Sequence, residues 1–440
     1  MGGRVVADDV ARALAGRAGL AWLDGDGALG DEGRWSFLGS DPVETRRVPW
    51  GTERPLDVIA ELGRGGDEGH PDDALGGKQV PRWVGYIAYD AAWSGATRSR
   101  ARLERDARLP VAWFGRYDAL VAIDHVAEQA WLVGDDARAL DALGARIASG
   151  AAAARSEPRG RASSVRAEPP ETHAESIRAA LEHIAAGDIY QVNLARRWTA
   201  RWEGDSLALY LAMRAASPVP LGVYVDAGDH AVLTRTMERF LRWERVSRHI
   251  ESRPIKGTIA RRSSAEDAAV SDALRADDKE RAEHVMIVDL VRNDLGRVAE
   301  IGSVRLRDVM SVEPYARLSH LVSTVEATTR SDVTLREVLE ATFPPGSVTG
   351  APKVRAVEII EQLERAARGV YTGAVGYVDR AGGVSLAVAI RTAVRVGDEL
   401  AYHAGGGLVS ASVVESEVAE TELKARVFFD ALLTLEREKG

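Results

Sequence analysis

Apolar positions recur at helical spacing in several stretches of the chain. Between Asp136 and Ala148 they are Leu140, Leu143 and Ile147, and between Glu171 and Ala186 they are Ile177, Leu181 and Ile184. Lys279 to Asn293 carries Ala282, Met286 and Leu290 in the same way. Each pattern puts an apolar stripe on one face and predicts a helix. Two more helices are expected at Val354–Ala367, just after Pro352, and at Glu415–Glu436. Arg82–Tyr89 and Asp118–His125 alternate with period two and read as strands, as does the apolar run Leu386–Val396. The first part of the chain reads mainly as short strands, and the rest mixes strands and helices without strict alternation. That order predicts an α+β fold rather than a doubly wound sheet.

One stretch fits neither period. Residues 151–170, AAAARSEPRGRASSVRAEPP, are small, polar and proline-bearing and read as a linker. It divides an N-terminal part, 1–150, from a larger C-terminal part, 171–440.

Composition then narrows the class. Hydrophobic residues are 45% and charged residues 28% of 440 positions, ordinary for a globular chain with a large core. The net charge is −9 and no basic run stands out, which argues against a nucleic-acid partner. No apolar stretch approaches the roughly 18–20 residues of a membrane span. The start, Met1-Gly2-Gly3-Arg4 with Asp8 and Asp9 following, lacks the apolar core of a signal peptide. A soluble cytoplasmic protein is expected. There is no cysteine, so disulfides, thiolate nucleophiles and cysteine-ligated metals are excluded. Lysine is scarce, with six residues against 51 arginines.

Four motifs carry candidate chemistry. In Arg253-Pro254-Ile255-Lys256-Gly257-Thr258, proline and glycine frame an extended or tightly turned stretch around one of the few lysines. Lys256 is either a solvated cation or an amine nucleophile, which attacks only when neutral. Glu280 and Glu283 are three apart on one expected helix, and Glu417 and Glu420 are three apart on another. Each pair shares a helix face. They are either two solvated faces or, facing each other, an oxygen-rich site for a hard cation such as Mg²⁺. Gly346-Ser347-Val348-Thr349-Gly350-Ala351-Pro352-Lys353 and Ala404-Gly405-Gly406-Gly407 let backbone N–H groups approach an anion, or are simply tight turns. The first is not a P-loop, because Pro352 precedes Lys353 and no Ser or Thr follows it. Finally, Arg391 interrupts the apolar run AVAIRT. A buried arginine needs an anionic partner, here a structural carboxylate or a substrate carboxylate.

Taken in order, the segments GDIYQVNLARR (187–197), RPIKGT (253–258), EHVMIVDLVRNDLGRV (283–298), SHLVSTV (319–325), GSVTGAPK (346–353), YTGAVGYV (371–378), AVAIRTA (387–393) and HAGGGLVSASVVESEVAETELKA (403–425) resemble the chorismate-utilising enzymes. Residues 170–436 carry the resemblance strongly. WSFLGSDP (35–42), VGYIAYD (84–90) and YDALVAIDH (117–125) extend it more weakly. It implies two large, mainly antiparallel sheets packed as a sandwich with helices outside. It also implies Mg²⁺, with Glu283 and Glu420 on the metal and Glu280 and Glu417 on its waters. The enolpyruvyl carboxylate of chorismate would meet Tyr371, Arg391, Gly405, Gly407 and Lys424. Ser347 and Gly350 would lie by the ring carboxylate.

Two positions separate members of this family. Water-adding members resemble one another in a lysine base where this chain has Gln191, and an amide cannot deprotonate water. Anthranilate synthases typically read PIAGT, whereas aminodeoxychorismate synthases often read PIKGT, as here. The resemblance therefore implies the aminodeoxychorismate synthase component I type, of p-aminobenzoate and folate biosynthesis, with anthranilate synthase component I or another aminating chorismate enzyme of secondary metabolism as the alternative. Lys256 would attack C2 and ammonia would then add at C4. Glu238, in Thr236-Met237-Glu238-Arg239-Phe240 where the family reads SPERF, would be the general acid and base. His320 matches a histidine that assists pyruvate loss in anthranilate synthases. A glutaminase of the relevant kind needs a cysteine, so a separate glutamine amidotransferase subunit would supply ammonia.

Overall fold

The computed structural model describes residues 6–27, 32–64, 75, 79–93, 102–153, 158–260, 267–315 and 318–437. Among them the strands form two large antiparallel sheets, one of 11 strands and one of 10. The expected α+β sandwich is present. Its inner core joins Leu23, Phe37, Val223, Val232 and Val394 of the first sheet to Val84, Tyr86, Trp113 and Val375 of the second. The outer face of the first sheet, with Trp22, Trp198 and Trp202, is covered by helices including Val414–Arg437 through Phe428. On the outer face of the second, Phe240, Trp243 and Val325 meet Ile287, Val291 and Leu295 of the helix Asp278–Gly296. Alternating strands must bury both faces, so each sheet takes one apolar layer from its twin and one from helices. Among the described residues no helix is long and apolar enough to cross a membrane.

The N-terminal strands complete both sheets. Ala21–Asp24 pairs with Leu221–Asp226 in one, and Pro81–Ile87 pairs with Ala374–Asp379 in the other. The stretch read as a linker behaves differently from that expectation. Gly160–Ala167 is a strand paired with Gln191–Gly204, while 154–157 lie outside the described residues. Its first glycine has a packing cause. A methyl group on Gly160 would stand 2.1 Å from the Trp202 ring, so the indole lies directly over this strand.

The run Leu386–Val396 also departs from expectation. It is two strands, Val384–Val388 in the second sheet and Thr392–Val396 in the first. Between them Arg391 adopts a left-handed conformation, φ 49°. The chain crosses from one sheet to the other at that point, which places Arg391 in the gap between them. The expected helices at 136–148, 171–186, 279–293 and 415–436 are observed as Ala137–Ala153, Pro170–Ala185, Asp278–Gly296 and Val414–Arg437. The helix after Pro352 is shorter than expected, Lys353–Leu363, because Glu364 is already extended.

Candidate active site

Lys256 lies on the strand Ile255–Ala260, which pairs with Leu318–Thr328 of the second sheet. The register shifts at Gly257, whose φ is 71°. Such a bulge re-aims neighbouring side chains. The Lys256 amine spans the gap to the first sheet. A methyl group built on Gly407 would stand 3.0 Å from Nζ and 2.7 Å from Gln191 Nε2. Glu283 Oε2 is 3.9 Å from the same amine. Gln191 is fully buried and neither end of its amide has a hydrogen-bond partner. Lys256 is thus a cleft residue, not a solvated cation.

Glu238 sits in the connection between His230–Thr236 and Arg239–Glu244, and is 5% exposed. It accepts hydrogen bonds from the Ser347 hydroxyl and the Ile255 N–H, and Lys256 and Lys424 act on it electrostatically. Burial outweighs these and pushes its carboxyl up to about 7. Met237, where the family has proline, packs with Val219 and Tyr315 and leaves the glutamate in place. His320 is buried beside the same strand, its Nδ1 3.1 Å from the Gly257 carbonyl and its ring edge-on to Tyr315. Burial, with Arg391 nearby, holds its imidazole down to about 4, so it is neutral near pH 7.

The two glutamate pairs approach this cleft from different helices. Glu280 and Glu283 project from Asp278–Gly296, and Glu417 and Glu420 from Val414–Arg437. A methyl group on Gly406 would stand 3.0 Å from Glu417 Oε2 and 3.7 Å from Glu420 Oε1. One on Gly257 would be 3.5 Å from Glu280 Oε2. The donors are all carboxylate oxygens, the type a hard cation such as Mg²⁺ takes, but the four do not close on one point: among the described residues the side chains within reach of a single ion are His249, Glu251 and Glu326. His284, next to Glu283, is turned away onto Ser323 at 2.7 Å and takes no part in the set.

Lys424 Nζ lies 2.6 Å from Glu420 Oε1 and donates to the Gly405 carbonyl at 2.8 Å. Ser347 belongs to the tight turn Gly346–Val348, and Gly350 pairs with Val192 beside Gln191. Gly350 has φ 141°, and a methyl group there would meet the Gln191 carbonyl at 2.3 Å, so only glycine brings the turn this close. Tyr371 is buried and stacked on His403, with ring centroids 5.3 Å apart. Among the described residues no carboxylate pairs with Arg391. Of its two candidate partners, the structural carboxylate is not there. Lys353, by contrast, lies outside the cleft. It pairs with Asp294 at 2.6 Å and donates to the Thr342 carbonyl, stapling the glycine-rich turn to the helix that carries Glu283.

The sequence reading passed over Arg368. Its guanidinium is 2% exposed and bonds to Glu364, to the Asn193 and Val348 carbonyls and to Thr372. Glu364 and Arg368 are four apart, a spacing that could have flagged an ion pair, but nothing in the sequence says where it lies.

The chain is a two-sheet sandwich that brings Lys256 of one sheet to the Gly407 backbone of the other, near the buried Glu238. Its family is given by comparison: residues 41–430 match the chorismate binding enzymes, and the chain belongs to that family. It is 44% identical over 257 residues to anthranilate synthase component 1 of Aquifex aeolicus, covering 58% of this chain and 52% of that one. The aligned part thus spans about half of that relative. Aminodeoxychorismate synthase component 1 of Klebsiella aerogenes is 39% identical over 324 residues, 73% of this chain and 70% of that one. Anthranilate synthase component I from Streptococcus pneumoniae TIGR4 superposes with a TM-score of 0.75 at 28% identity, covering 90% of this chain and 92% of that one.

Proposed function

We propose that this chain converts chorismate and ammonia to 4-amino-4-deoxychorismate, as the aminodeoxychorismate synthase component I type does. The observation that carries this reading is Lys256 reaching across the cleft to the Gly407 floor, with a half-protonated Glu238 nearby. The Lys256 amine, in its neutral form, forms a bond to C2. Both double bonds of the cyclohexadiene ring shift and the C4 hydroxyl leaves as water, taking the Glu238 proton. Ammonia then bonds to C4, both double bonds return, and the C2–N bond breaks to release Lys256. Glu238 takes back a proton from the new ammonium. Splitting one displacement in two lowers each barrier.

Tyr371, Arg391, Lys424 and the backbone of Gly405 and Gly407 would hold the enolpyruvyl carboxylate. Ser347 and Gly350 would flank the ring carboxylate, and Glu280, Glu283, Glu417 and Glu420 would hold Mg²⁺. When bound, Mg²⁺ supplies the positive charge that offsets a carboxylate beside this acidic cluster. Chelation is then expected to abolish turnover and added Mg²⁺ to restore it. Glu417→Gln is expected to raise the Mg²⁺ requirement about 10- to 100-fold. Full turnover in a chelator would remove the metal from the scheme.

With no cysteine in this chain, ammonia would come from a glutamine amidotransferase subunit. Free ammonium should replace that subunit in vitro. The second reading, anthranilate formation, draws on the likeness to the Aquifex enzyme and would use His320 in pyruvate loss. Incubation with chorismate, Mg²⁺ and ammonium separates the two. A product that an added lyase turns into p-aminobenzoate is expected. Fluorescent anthranilate appearing without a lyase would sink the first reading.

A further inference from the structure

We propose that Arg368 is a positioning residue that sets the shape of the substrate-binding wall without touching the substrate. Every N–H of its guanidinium has an acceptor. Nε donates to Glu364 at 3.0 Å, and Nη1 to the Val348 carbonyl and Thr372 Oγ1, both at 3.0 Å. Nη2 donates to the Asn193 carbonyl at 2.6 Å and to Glu364 at 2.7 Å. The plane of the group lies between the rings of Tyr89, 4.7 Å away, and Tyr371, 5.8 Å away.

These partners belong to three segments, two of which, the glycine-rich turn and the Asn193 strand, are also joined by the Asn193 N–H to Thr349 carbonyl bond at 2.8 Å. Val348 adjoins Ser347 in the glycine-rich turn. Asn193 sits opposite Gly407 in the sheet and is two residues from Gln191. Tyr371 is held by ring stacking and through Thr372, which donates to its carbonyl at 2.6 Å. Glu364, the counter-ion, also accepts from the Ala195 N–H at 2.9 Å. One planar, fully bonded cation thus sets the spacing between turn, floor and tyrosine. Lysine, with three donors on a flexible stem, cannot span the same five acceptors. Lys256 sits on the strand Ile255–Ala260, and none of the Arg368 hydrogen-bond partners named above lies on that strand. Arg368 therefore acts on how chorismate is held more than on the attacking amine. The inference rests on the proposed placement of chorismate against this wall.

The test measures chorismate consumption by Arg368→Lys, with folding checked by circular dichroism. KM is expected to rise at least tenfold and kcat to change less than threefold. An unchanged KM, or a loss confined to kcat, would overturn the proposal. Should that variant fail to fold, Thr372→Val and Thr372→Ser carry the test. Valine removes the acceptor and should raise KM threefold or more, and serine restores it and should stay within twofold of wild type. Equal KM values for the two would overturn the proposal. Chorismate binding measured without ammonium should rank the variants in the same order. No amination is involved in that measurement, so a wild type that makes a different product leaves this test standing.

Discussion

Lys256→Ala is expected to lower turnover by roughly a thousandfold or more, the order seen when a covalent nucleophile is removed. The acid, the arginine and the carboxylates would remain, so chorismate should still bind. A rate loss with retained binding marks an interaction made in the reaction rather than in the ground state. Lys256→Arg should be as poor as alanine, although it keeps a positive charge near Glu283. A guanidinium stays protonated and offers no lone pair to C2. Mass spectrometry of acid-quenched wild type incubated with chorismate alone should find an adduct on the peptide holding Lys256, absent from both variants. Unchanged turnover by the alanine variant would remove the covalent step while leaving the family membership untouched.

Glu238→Gln is expected to have two opposite effects. Activity should fall roughly 10²- to 10⁴-fold, the usual size of a general acid–base contribution. Stability should rise. Burial lifts the Glu238 carboxyl to about 7 in the folded chain, above its ordinary value of 4.5. Between these values the folded state binds more protons than the unfolded one, so the wild type loses stability as pH rises through that window. Below it both states are protonated and there is no penalty. Above about 7 the penalty is complete, of the order of 3 kcal/mol at most. Glutamine carries no charge and keeps an acceptor for the Ser347 hydroxyl. Denaturant unfolding at pH 8 should therefore find the variant more stable than wild type, with little difference at pH 4. A variant less stable at pH 8 would show that the carboxylate is not strained by burial. An acid held near its working pH at a cost in stability is the mark of a site selected for chemistry.

The two elements that the sequence misplaced have one cause in common. Gly160–Ala167 looks like a linker because of its small and polar residues, yet it is a strand whose first residue, Gly160, lies under the Trp202 ring. Leu386–Val396 looks like one strand because both of its halves are apolar, yet the chain changes sheets at Arg391. In each case the deciding partner lies far along the chain, and a local window of periodicity contains no trace of it. Arg368 escaped notice for the same reason, since its acceptors come from Asn193, Val348 and Thr372.

The sequence by itself determined the class of chemistry available. It excluded cysteine, spaced four glutamates in helical pairs, placed glycines where side chains would obstruct, and put a scarce lysine in PIKGT. Spacing along one element is a local property, so these were legible. Only the tertiary structure decided that the amine on one sheet meets the glycine floor of the other, and that Glu238 is buried enough to stay half protonated. It also decided that Arg391 has no carboxylate of the chain beside it among the described residues. Charge state and partnership depend on distance and dielectric between segments remote in sequence. Those are set when the two sheets close on each other.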